Sequence, residues 1–327
     1  MSTLDNTKTM NSGFLANDKT VLDYLSDYGI YLGFLIIFAI FSVVSSSFFT
    51  VSNVSNIIIQ SSIIAIIAIG QTVVILTEGI DLSVGSIAAF ISIALGIMMV
   101  DLGIAVPLAL FLSIVMGAII GLINGFVISY GKVPAFITTL GMMSIARGGA
   151  LAINGGRPVS MLPRSFGVIS SASVFGIPIF IIYVAVFYTL MYFLLTKHKL
   201  GRYIYAIGDN SEASRLSGIK VKAVKTSAYI FSGLFAAMGG IMLTARLNYA
   251  SPTSGSGFEL DAIAAVVIGG TALSGGQGSI LGTLVGALIL GTLRNGLSIL
   301  NVPGFYQQII IGVVIIVAVF FDKMKRD

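Results

Sequence analysis

The sequence predicts an all-α, polytopic membrane protein of about ten transmembrane helices, on three observations. Hydrophobic residues fill 56% of the 327 positions and charged residues only 9%, where a soluble domain carries about 25% charged residues. The apolar residues gather into ten long runs, and mean hydropathy reaches +1.02, so the bilayer is the natural solvent. The one large polar island, 197–225, holds nine of the 31 Asp, Glu, Lys and Arg residues. A loop so basic belongs in water on the cytoplasmic side. A single transmembrane domain, 29–322, is therefore expected between a polar tail, 1–28, and a basic tail, 323–327.

Composition narrows the function. The 38 glycines suit close helix packing in a membrane. With no Cys and a single His, His198, neither thiol chemistry nor a His/Cys metal site is available, and no metal or cofactor is expected. The net charge of +5 follows from membrane topology and does not imply nucleic-acid binding.

The elements follow in chain order. The first 28 residues carry Asp5, Lys8, Asp18, Lys19, Asp23 and Asp27. They lack the basic stretch and apolar core of a cleavable signal, so the first span acts as an uncleaved anchor. The ten runs are 30–49, 55–76, 83–100, 103–128, 134–153, 174–196, 226–245, 261–273, 279–298 and 304–321. Because a crossing needs about 20 residues, the run 261–273 must be tilted, broken or buried in the bundle. With both termini cytoplasmic, 13 of the 18 Lys and Arg residues fall inside. Arg147, Arg157, Arg164 and Arg246 fall outside, and Arg294 lies within a span. The positive-inside rule favours this orientation over its reverse.

A candidate internal repeat aligns 73–96 with 266–289 without gaps. Eight of 24 positions are identical, including Gly85-Ser86-Ile87 and Gly278-Ser279-Ile280.

The polar residues divide into groups. In 78–85, Glu78 and Asp81 interrupt two apolar runs and must reach water or a partner. Glu78, Asp81 and Ser83 together read as a helix cap, centred on Asp81, or as a cytoplasmic gate. Gln71, Asn124, Thr138, Thr139 and Asn295 lie in or near spans and are candidates for a polar translocation path, against the simpler reading of interhelical bonds. Arg157 in the 154–164 loop, and Arg246, Glu259 and Asp261 in the 246–261 loop, are candidates for receiving an external partner. In the island, Glu212-Ala213-Ser214-Arg215-Leu216-Ser217-Gly218 reads as a short helix, with Ser211 as candidate N-cap and Gly218 as stop. Small residues there permit close approach, and Glu212 and Arg215 offer charge at the rim. Gly208, Asn210, Ser214 and Ser217 complete this candidate docking element.

These strings resemble a known family. The pattern at 212–218 is similar to the cytoplasmic loop by which permeases of bacterial ABC importers engage their ATPase. LGRYIYAIGDNSEASRLSGI at 200–219, GIDLSVGS at 79–86, TTLGMMSIARG at 138–148 and GFELDAIAAVVIGGTALSGGQGSILGTLVGALILG at 257–291 resemble the ribose permease branch. Ser214 stands where the strict pattern has a second Ala. The resemblance implies a homodimeric permease in the bacterial inner membrane, surrounded by lipid. It also implies cytoplasmic ATPase subunits, a periplasmic or lipid-anchored sugar-binding protein, a small sugar as cargo and alternating access. No Gly-x-x-x-x-Gly-Lys-Ser/Thr phosphate loop occurs, so ATP hydrolysis is expected on another chain. The rival reading is a proton-coupled secondary transporter. It needs an ionisable residue in mid-membrane, whereas the candidates here fall near span ends.

Overall fold

The computed structural model describes residues 21–326. Most of the polar segment 1–28, and Asp327 of the basic tail, lie outside the described residues. The helices are α1 (Val21–Val44), α2 (Val51–Leu76), α3 (Val84–Val100), α4 (Val106–Ser129), α5 (Ala135–Ala152), α6 (Arg164–Ser171), α7 (Ile179–Lys197), α8 (Lys199–Asp209), α9 (Ser211–Leu216), α10 (Val221–Leu247), α11 (Phe258–Ile268), α12 (Ile280–Ile299) and α13 (Gly304–Arg326). A small antiparallel hairpin, β1 (Ser173–Val174) with β2 (Ile177–Pro178), precedes α7. Six helices, α2, α4, α5, α7, α10 and α12, are long and apolar enough to cross a membrane, and shorter apolar stretches lie in α1, α3 and α13.

Each apolar run contains one helix, with two corrections. The run 174–196 starts in the hairpin, so its helix begins only at Ile179. The island 197–225 is not an open loop: it folds as α8, α9 and the first turn of α10. The short run 261–273 yields an 11-residue helix, α11. Proline sets several starts. Pro134, Pro163 and Pro178 each occupy the residue before a helix, with ψ of 136–138°, where the ring's fixed φ costs nothing and no N–H is required.

The bundle is built around α2. Every residue from Ser61 to Leu76 is buried, as expected of a helix that is apolar on all sides. In α2 and α10, 78% of the most apolar stretch is buried, against 17% in α5 and 22% in α4 and α7. The outer helices thus show apolar faces such as Leu108, Phe111 and Phe126 of α4. Helices α4 and α10 cross closely. Gly117, Gly121 and Gly125 repeat every fourth residue, and a Cβ on any of them would strike the α10 backbone at Gly233, Tyr229 or Thr226. Small residues at this spacing let membrane helices touch through their backbones.

Both α3 and α11 begin inside the bundle. The turn 77–83 and the segment 248–257 enter from opposite ends, and Gly85 lies against the Gly255 carbonyl and the Glu259 carboxylate. Ser232, which bonds to Asp81, lies eleven residues into α10 from Val221, about 16 Å along the axis at 1.5 Å per residue. From that depth α11 reaches the end that carries α8 and α9 in half a crossing, which explains the short run. The end is marked by Lys225 of α10 at 3.5 Å from Glu78 and Lys222 over the Tyr130 ring of α4.

Candidate functional site

The site is assembled where the polar island meets the bundle. His198 caps α8, its Nδ1 accepting from the Leu200 N–H at 3.2 Å. At the far end of α8, Asn210 rather than Ser211 caps α9, accepting from the Ala213 N–H at 2.8 Å. Helix α9 closes through Gly218, whose φ of +84° is a left-handed value that glycine adopts freely. Ser214 turns inward and is buried, while Glu212, Ala213, Arg215 and Ser217 face out and Leu216 is 74% exposed. Glu212 and Arg215 pair on the outer face at 2.6 Å. This hydrogen bond holds the Glu212 carboxyl below the usual carboxylate range.

Gly208 is the contact point with the bundle. A Cβ there would overlap the Leu76 carbonyl and the Gly276 N–H, and Gly276 itself donates to the Leu76 carbonyl at 3.1 Å. Beside it, the Tyr205 hydroxyl donates to the Gly278 carbonyl at 3.0 Å. Burial pushes this phenol up, so it stays a protonated donor at neutral pH. The end of α8 therefore rests on two turns, 77–83 and 270–279.

The first of these turns is tied to four helices. Glu78 sits at a left-handed φ of +63°, an uncommon conformation for a residue with a side chain. Thr139 of α5 donates to the Ile80 carbonyl at 3.3 Å. With its amide oriented to suit its neighbours, Gln71 of α2 donates to the Asp81 carbonyl (3.1 Å) and accepts from the Asp81 N–H (3.2 Å). Asp81 is fully buried. Its Oδ1 accepts from the Ser83 N–H (2.9 Å) and hydroxyl (2.5 Å), and its Oδ2 accepts from Ser232 of α10 (2.7 Å). Asn124 of α4 donates to Ser83 at 3.0 Å.

The expected gate or cap thus contains a cap-like bond from Ser83 to Asp81, but Asp81 reaches beyond it to α10. The path candidates do not form one lining. Gln71, Asn124 and Thr139 brace the turn. Asn295 exchanges two amide bonds with Asn53 of α2, at 2.9 and 3.0 Å, away from the turn. Thr138 keeps a buried hydroxyl without a partner. On the other end of the bundle, Arg157 and Arg246 are exposed. Glu259 and Asp261 are corrections: they lie in the first turn of α11, not in an outer loop. Asp261 is 3% exposed and pairs with Arg294 of α12 at 2.6 Å. Asp81 and Asp261 both stand next to helix starts, yet both are buried within the bundle.

Sequence reasoning missed Ser232, Asn53 and Tyr205. A lone hydroxyl or amide in an apolar run carries no sign of what it faces. It also placed Arg147 simply at a span end, whereas its Nη1 donates to the Pro252 and Ser254 carbonyls at 3.0 and 3.1 Å and so holds the entering segment.

A family described as "Branched-chain amino acid transport system / permease component" matches residues 53–319. The chain belongs to this family of permeases. Ribose import permease protein RbsC of Escherichia coli (strain K12) is 44% identical over 300 residues, covering 90% of this chain and 93% of that protein. The Bacillus subtilis (strain 168) RbsC is 45% identical, covering 91% and 92%. The Escherichia coli (strain K12) galactose/methyl galactoside import permease protein MglC is 36% identical, covering 94% and 97%. No solved structure gives a significant match. The permease is a multi-pass protein of the cytoplasmic membrane, and hydrolysis is the work of a separate ATPase subunit.

Proposed function

We propose that this permease is the membrane subunit of an ATP-driven, binding-protein-dependent sugar importer, with ribose as its first candidate cargo. The family description names amino acids, but the relatives that align over nine-tenths of their length with 44–45% identity are named for ribose import, and the sugar reading follows them. In this reading ten segments cross the membrane, both termini are cytoplasmic, and two copies of the chain form the pathway. The observation that carries the coupling reading is α9: a capped helix with an exposed apolar residue, Leu216, beside the exposed Glu212–Arg215 pair. Leu216 would enter an apolar cleft of the ATPase while Glu212 and Arg215 pair at its rim. Gly208 and Ser214 would transmit the motion inward. Arg157 and Arg246 are the proposed contacts for the sugar-loaded binding protein.

The proton-coupled reading gains one observation, the fully buried Asp81. Three hydrogen bonds already satisfy that carboxylate, and Asp261 is neutralised by Arg294, so neither is a free proton carrier. The test is uptake of labelled ribose and galactose into proteoliposomes holding the permease, its ATPase and its binding protein. ATP-dependent ribose uptake is expected. Uptake that follows an imposed proton gradient without ATP contradicts the reading.

A further inference from the structure

We infer that Asp81 is a positioning residue that links the docking helix to the interior of the bundle. The inference rests on the reading of α9 as the ATPase dock. From below, Gly208 at the end of α8 presses on the Leu76 carbonyl, one residue before the turn begins, and Glu78 in the turn meets Lys225 at the foot of α10. From above, the turn leads directly into α3, whose second residue, Gly85, abuts the Gly255 carbonyl and Glu259 at the start of α11. A displacement of α8 that reaches the half-helix junction has a direct covalent route through residues 77–83.

Asp81 decides whether that segment moves alone or with its neighbours. Its backbone is held by Gln71, its Oδ2 by Ser232, and its Oδ1 by Ser83, which Asn124 holds in turn. Asp81 therefore joins α2 to the turn through its backbone, and α10 and, by way of Ser83, α4 through its carboxylate. No Lys or Arg pairs with it among the described residues. Its charge is met only by hydroxyls, an N–H and the nearby N-terminus of α3, which is favourable for an anion. Hydroxyl–carboxylate bonds are strong yet broken without separating an ion pair, which suits a joint that must be remade in each cycle. Two further polar atoms close by, Asn124 Oδ1 and Tyr229 Oη, are buried without partners. They offer the hydroxyls and the carboxylate other partners once the turn shifts. Tyr229 Oη lies directly over Gly79.

The test uses the full importer in proteoliposomes with Asp81→Ala, Asp81→Asn and Ser232→Ala. Asn keeps the Oδ1 acceptor for Ser83, whereas Ala removes every side-chain bond and leaves only the backbone bonds to Gln71. All three variants should retain ATPase in co-purification, because α9 is untouched. Sugar moved per ATP hydrolysed should fall in the order wild type, Asn, Ala, with a loss of about tenfold for Ala, within the usual range of coupling between sites. Ser232→Ala should lower the same ratio without removing the carboxylate. The inference is overturned if Asp81→Ala transports with wild-type coupling. It is equally overturned if transport and hydrolysis fall in proportion in all three variants, leaving sugar moved per ATP unchanged, as a merely structural role requires. Failure of wild type to bind any ATPase would instead defeat the reading of α9.

Discussion

Two units of this bundle carry the candidate repeat and are built differently. In the first, the end of α2, the turn 77–83 and α3 carry a buried carboxylate, Asp81, met by hydroxyls from α10 and from its own turn. In the second, α11, the turn 270–279 and α12 carry a buried carboxylate, Asp261, met by the guanidinium of Arg294. The aligned position for Asp81 is Ser274, which is exposed. The identical tripeptides also fall at different places. Gly85-Ser86-Ile87 lies within α3, whereas Ser279 caps α12 and Ile280 begins it. The same string thus lies just after the cap in one unit and supplies the cap in the other. The carboxylate ties the first turn to the bundle interior, and both turns support the end of α8. One unit is joined by bonds that exchange easily and the other by an ion pair that does not, which is the division expected of a moving joint and a fixed one.

The largest expected break is in the fixed unit. Arg294→Met leaves Asp261 buried and unpaired, at a cost of about 3–5 kcal/mol. Thermal unfolding in detergent should show it, and adding Asp261→Asn should restore much of the loss. Next comes the junction of the two units. Gly208→Val forces a side chain into the Leu76 carbonyl and should cost about 1–3 kcal/mol through overpacking, read by the same assay. A sharper comparison rewrites the first turn as the second. Asp81→Ser strands Ser232 and the Ser83 N–H and should cost about 1–3 kcal/mol, whereas Ser274→Ala at the aligned exposed site should stay within about 0.5 kcal/mol.

The smallest effect concerns pH at α9. The Arg215 bond depresses the Glu212 carboxyl. Its contribution is therefore complete above the ordinary carboxylate value of about 4.3 and is lost only as pH falls through the lowered value. ATPase binding should not change between neutral pH and about pH 5 on account of this pair, and Glu212→Gln should leave that flat profile in place. A wild-type decline near neutral pH that Glu212→Gln abolishes would contradict it.

Much of this was legible in the residues, and the limits are physical. Ten apolar runs and one basic island declare the class because hydrocarbon tolerates little charge. The stop at Gly218 could be read because it is local, but the cap fell on Asn210, one residue before the expected Ser211. Asp81 was visible as a polar intrusion, but its partner Ser232 was not, since a single hydroxyl at position 232 has no directional signature. Glu259 and Asp261 were misplaced for a related reason. Acids at the start of an apolar run resemble an interface, and only tertiary contact with Gly85 and Arg294 shows that the chain has already entered the bundle. Asn295 looked like a path residue until Asn53, 242 positions away, satisfied it.

The most direct test of the account is co-purification of the permease with its ATPase in detergent, comparing wild type with Glu212→Lys and Gly218→Trp. The account predicts that wild type retains the ATPase and that both variants lose it while remaining folded, because the charge on α9 or its closing turn has been destroyed. Equal retention by all three would contradict it and place the docking surface elsewhere on the protein.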